Sequence, residues 1–160
     1  MSTAALQHEI KAGRALYNEM LATFDFSQIT WTITRYTPSM SGERADELMK
    51  AFLQWAAIIP LNTPDHYATM FLTPVEEAFH SFVLNTRLYN TFCLRYLGQF
   101  FHHDPVVDDT GPEVEKQARY TVELLEETYG AELHPELQEW RRQLDAGTYR
   151  VACVGSGTCQ

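Results

Sequence analysis

The sequence predicts a mainly α fold, a single-domain bundle of about five helices, and three observations carry that expectation. Apolar residues recur at steps of three and four along most of the chain, proline and glycine punctuate those runs, and a hydroxyl residue stands three places before a glutamate at two of the starts. In the first run Leu6, Ile10, Gly13, Tyr17, Met20, Leu21 and Phe24 share a stripe, with Glu9, Lys11, Arg14 and Asn18 on other faces. That pattern predicts an amphipathic helix over about residues 3–23.

Ile29, Trp31 and Ile33 then alternate with Thr30, Thr32 and Thr34, the period of a half-buried strand rich in β-branched residues. A short β element is expected over 29–36, although Ile29, Ile33 and Tyr36 also suit a helical turn. After the breaker Pro38, Ser39, Ser41 and Gly42, the series Ala45, Leu48, Met49, Phe52, Leu53, Ala56 and Ile59 predicts a second helix that Pro60 ends. Residues 60–72 show no period and are expected to be a loop. Thr73-Pro74-Val75-Glu76 combines a hydroxyl N-cap, proline at the first helical position and a capping-box glutamate. It opens a third helix expected over about 74–97, with Val75, Phe79, Phe82, Thr86, Tyr89 and Cys93 on one stripe and Gly98 as its stop. Thr110-Gly111-Pro112-Glu113 repeats the capping pattern before a helix to about Tyr129, and Leu137, Trp140 and Leu144 mark a last short one after Pro135. The helical domain is expected over 1–145 and a Gly/Cys-containing C-terminal tail over 146–160, with a short β element at 148–154. Phe52, Phe79, Phe82, Val83, Tyr89 and Leu125 are expected to be largely buried.

With 160 residues, 45% of them hydrophobic and 12% aromatic, the chain can fill one core, which argues against disorder. A formal charge of −9 repels phosphate backbones and anionic lipid heads, so neither nucleic acid nor a membrane surface is an expected partner. Apolar runs such as 55–61 fall far short of the roughly 20 residues that cross a bilayer. Residues 1–21 carry Glu9, Lys11, Arg14 and Glu19 where a signal peptide would be apolar, so a cytoplasmic location is expected. Three cysteines do not make the framework of a secreted disulfide scaffold. Cys93, on the apolar stripe, is expected in the core; Cys153 and Cys159, with five residues between them of which two are glycines, are expected in a flexible tail as unmodified thiols. No Gly-rich phosphate loop, G-x-S-x-G elbow or basic aromatic platform is present.

One set of residues has the chemistry of a metal site. On a helix, Glu76 and His80 lie about 40° apart on one flank beside the core stripe. A carboxylate and an imidazole on adjacent turns can hold one divalent ion, zinc or iron, and His102 and His103 are the candidates to complete the set. Plainer readings exist: a capping box accounts for Glu76, an (i, i+4) ion pair for Glu76 and His80, and a helix C-terminal dipole contact for the two adjacent histidines. A straight helix carries Leu97 about 25 Å from His80, whereas the four residues from Gly98 to His102 reach only roughly 14 Å. A shared site therefore requires either a break in the third helix, expected near Asn90 or Phe92, or histidines supplied by a second chain.

Pro74, Val75-Glu76, Phe79-His80, Phe82-Val83, Thr86, Tyr89, Phe92-Cys93, Gly98 and His102-His103-Asp104-Pro105 form an ordered series across about sixty residues. The series resembles the glycine-rich-domain-containing-protein-like group, departing from its usual residues at Phe79, where that group has tryptophan, and at Glu76, where it has aspartate. The resemblance implies a mainly helical fold and a polar site centred on His80, and it implies no reaction. Two functions follow as expectations. The first is a protein-interaction module whose acidic surface and C-terminal tail engage a protein partner or a second copy. The alternative is a divalent-metal-binding domain, a metal-dependent enzyme if a coordination position stays open, built on Glu76, His80, His102 and His103.

Overall fold

Trp31 decides how residues 29–36 fold. A strand would place it on the same face as Ile29 and Ile33, yet the two isoleucines are buried and Trp31 is 63% exposed. In the computed structural model, which describes residues 3–154, the segment is a helix. Ile29 and Ile33 stand one turn apart against the core, and Thr32 donates its hydroxyl to the Gln28 carbonyl at 2.8 Å. Tertiary burial thus overrides the β-branched composition, and the strand expected at 29–36 is replaced by a helix.

The α-helices are α1 (Thr3–Thr23), α2 (Ser27–Tyr36), α3 (Gly42–Ala56), α4 (Pro74–Leu84), α5 (Thr86–Phe92), α6 (Pro112–Tyr129) and α7 (Pro135–Ala146). A π-helical turn, Cys93–Leu97, continues α5, and 3-10 turns cover Ile59–Leu61 and Gly130–Glu132. Three strands, β1 (Thr69–Phe71), β2 (Asp104–Pro105) and β3 (Val151–Val154), form an antiparallel sheet of order β1-β3-β2. The fold is mainly helical, with seven helices among the described residues where about five were expected. One addition is α2; the other arises because the third predicted helix is divided at Asn85.

Helix α3 is buried along most of its length and packs on α1, α2, α4 and α7. At its heart Phe52 meets Phe79, Phe82 and Phe92 with ring centroids 5.1, 5.8 and 6.4 Å away. Phe52, Phe79, Phe82, Tyr89 and Leu125 are buried as expected, and Val83 is only half-buried. Where α1 crosses α6, a Cβ on Gly13 would lie 3.3 Å from Thr128 Cγ2, so glycine permits the close approach.

Neither expected capping box forms. Thr73 is the N-cap of α4, but its hydroxyl makes no capping bond; instead it accepts from the Trp140 indole at 3.2 Å. Thr110 donates to Asp108 at 2.6 Å, and the N-cap of α6 is Gly111, at a φ of 103° that favours glycine. In both helices proline occupies the first turn, where it removes one amide that would otherwise need a partner.

Candidate metal centre

Strand β1 delivers the chain into α4 through Leu72 and Thr73, and Glu76 falls in the first turn of that helix. With no capping box to serve, the Glu76 carboxylate turns aside, and its side chain is only 6% exposed. One turn later His80 lies on the same flank, its Nε2 2.6 Å from Glu76 Oε1.

The break at Asn85 brings the rest of the site into reach. Its ψ of 58° stops the helical course, and its side-chain amide holds the interruption. Nδ2 donates to the Ser81 carbonyl at 2.9 Å and to Thr32 Oγ1 at 3.0 Å, while Oδ1 accepts from Gln28 at 2.9 Å. Helix α5 and the π turn then redirect the chain, and Gly98, at a φ of 77°, ends the turn. The interruption falls earlier than the expected Asn90 or Phe92, and an unbroken helix to Leu97 does not form.

On the return, Phe101 is buried against Trp55, with centroids 5.7 Å apart, and its carbonyl accepts the Tyr89 hydroxyl. Two residues on, His103 Nε2 lies 3.2 Å from Glu76 Oε1. Its ring packs on Phe79, centroids 4.5 Å apart, and stands 4.6 Å from the His80 ring. The donor atoms of Glu76, His80 and His103 all lie within 4.8 Å of one another. Both Nε2 atoms approach the same carboxylate oxygen, and the three side chains converge without a second chain.

His102 does not join this group. It is half-buried, with its ring 4.9 Å from that of Phe100. Of the two adjacent histidines, His103 meets Glu76 and His102 lies against Phe100. Exposure is equally uneven within the group: the His80 side chain is 57% exposed and that of His103 only 10%.

Cys153, expected in a flexible tail, is instead completely buried in β3, in register with Met70 and Pro105. Burial pushes its thiol well above the ordinary range, and the negative charge of Glu76 pushes it further the same way. Cys93 is buried as expected; burial raises its thiol, and hydrogen bonds to the Phe101 backbone and to Tyr89 oppose the rise. The expected β element at 148–154 is present in shortened form as β3, while Cys159 lies outside the described residues. The sequence signal for Cys153 was its place beside Val151 and Val154, an apolar neighbourhood that the nearby glycines masked.

A family model described as UCP032817-like matches residues 17–119, more than half of the chain. The matched span includes Glu76, His80, His102 and His103 and ends before β3. Nothing in the match links the chain to the glycine-rich-domain-containing-protein-like group. No curated protein and no solved structure matches the chain.

Proposed function

The chain belongs to the UCP032817-like family, and we propose that it binds a divalent transition metal, zinc or iron, through Glu76, His80 and His103. The observation that carries this reading is the convergence of three donor atoms within 4.8 Å, from segments 27 residues apart in sequence. Donors around a zinc or iron ion lie at about 2.0–2.2 Å from it, so small side-chain movements bring these three into range. Two imidazoles and one carboxylate form a donor set common to catalytic zinc sites and to non-haem iron sites, in which protein ligands leave coordination positions open. The exposed flank at His80 gives such a position access to solvent. A water bound there would have its pKa lowered and supply a nucleophile near neutral pH, the chemistry of a metal-dependent hydrolase.

Metal analysis of protein purified without an affinity tag after metal-replete growth tests the proposal. Stoichiometric zinc or iron in the wild type, lost in Glu76→Gln, supports it; no metal in the wild type and no zinc uptake on titration refute it.

A second reading, a protein-interaction role, is favoured by Trp31 and Tyr36, both exposed on α2. The acidic stretch at 104–115 supports it less, because Asp109 pairs with Arg150 and Glu115 with Arg119. No helix among the described residues is long and apolar enough to cross a membrane. A concentration-dependent sedimentation coefficient that Trp31→Ala abolishes would support association with a second copy through α2.

A further inference from the structure

We propose that the C-terminal strand β3 positions the metal site, so that metal occupancy and the seating of this strand are coupled. The inference rests on the metal reading above. β3 is the middle strand of the sheet, with β1 on one side and β2 on the other. β1 runs directly into α4, which bears Glu76 and His80, and β2 begins at the residue after His103. The two ligand-bearing segments therefore pair with β3 rather than with each other.

Single residues of β3 reach both sides. Cys153 is in register with Met70 of β1 and with Pro105 of β2. On the β1 side the register runs Met70 to Cys153 and then Phe71 to Val151, so Ala152 is the extra residue of a bulge. Its carbonyl turns to the other neighbour and accepts from the Val106 N–H at 3.0 Å, while the Arg150 carbonyl accepts from the Leu72 N–H at 2.8 Å. His103 is thus held from two directions: Phe101 is anchored in the core before it, and the β2 pairing anchors the chain immediately after it.

Strand β2 is only two residues long and exposed, so its pairing alone is weak. An ion joining His103 to α4 would fasten the chain next to β2 and raise the cost of parting β2 from β3. Linkage makes the effect reciprocal: whatever loosens β3 weakens metal binding by the same factor. The burial of Val151 and Cys153 gives the strand a definite seat to lose.

Amide hydrogen exchange on the full chain, with and without zinc chloride, tests this alongside a zinc titration. The Val106 amide is expected to exchange about tenfold or more slowly once zinc is bound, by a larger factor than Leu124 in the middle of α6. Val106→Pro removes the N–H that pairs with Ala152 and touches no ligand; it is expected to weaken zinc binding about tenfold or more while leaving the metal-free urea midpoint near that of the wild type. Zinc binding with unchanged exchange at Val106, or a Val106→Pro protein that binds zinc as tightly as the wild type, overturns the coupling and leaves the metal reading standing. No zinc binding overturns both. Should Val106→Pro fail to fold, the exchange measurement on the wild type decides alone.

Discussion

Asn85 and Thr32, 53 residues apart, meet through a 3.0 Å bond from Asn85 Nδ2 to Thr32 Oγ1. Asn85 thereby ties the interruption between α4 and α5 to the neighbouring helix α2, and its Oδ1 adds the bond from Gln28. Asn85→Ala removes three side-chain bonds and leaves the Thr32 hydroxyl, a buried group, with one partner fewer. It is expected to cost about 1–3 kcal/mol, read as a lower urea midpoint at unchanged slope. A variant with the wild-type midpoint would show that backbone packing alone holds the break.

Thr73→Ala is expected to destabilise the fold by about 1–3 kcal/mol, for a reason other than capping. The Thr73 hydroxyl accepts from the Trp140 indole, and Trp140 is completely buried, so its N–H would be left unpaired. Thr73→Ser keeps the acceptor and should retain most of the stability. Equal urea midpoints for the two variants would exclude the Trp140 bond as the cause.

The seat of Cys153 is tested by thiol chemistry. In a Cys159→Ser background, Cys93 and Cys153 are expected to react with a disulfide reagent far more slowly in the native protein than in urea, because both are buried and burial raises both thiols above the reactive range. One equivalent of fast native thiol would mean that β3 is unseated in solution.

Much of the helical frame was legible because buried stripes repeat at 3.6 residues, as in α1, α3 and α6. The α2 segment was not, since alternating isoleucine and threonine satisfy a strand pattern locally, and only the core partners of Ile29 and Ile33 choose between the two. Chain geometry required a broken third helix for any site shared within one chain. It did not locate the break, because Asn85 acts through Thr32 and Gln28, which are distant in sequence. The capping patterns around Thr73 and Thr110 were present as letters, but tertiary and loop partners claimed the hydroxyls. Of the four candidate ligands, Glu76, His80 and His103 converge, and which of the two adjacent histidines joins the group depends on how the chain returns after Gly98 and pairs at β2 with a distant C-terminal segment.

Stability is expected to fall as the pH rises above about 10. Burial pushes the Tyr129 hydroxyl above its ordinary value of 10.0, and its O–H donates to the Gln54 carbonyl at 2.9 Å. A pKa raised by folding contributes stability that is complete below the unfolded value and lost as the pH rises through the folded one, because the unfolded chain then releases a proton that the native state retains. Tyr129→Phe should be less stable at pH 7, where it lacks the bond, and should lose less further stability between pH 9 and 11 than the wild type. Identical alkaline slopes for the two proteins would exclude Tyr129 as a source of the decline.

The two histidines separate ligation from packing. His80 bonds Glu76 at 2.6 Å but is 57% exposed, so water can replace it, and His80→Ala is expected to shift the metal-free stability by less than about 0.5 kcal/mol. His103 is 10% exposed and packs on Phe79, so His103→Ala removes a buried ring and is expected to cost about 1–3 kcal/mol without metal. Zinc at a hundred times its dissociation constant should stabilise the wild type by about 2.7 kcal/mol, since it binds the native state alone. Each variant lacks one of three ligands and should lose most of that gain. The decisive protein is His80→Ala, expected to unfold like the wild type without zinc and to gain little when zinc is added. If it keeps the full zinc-dependent rise in urea midpoint, His80 is not a ligand and its contact with Glu76 is an ordinary (i, i+4) side-chain pair.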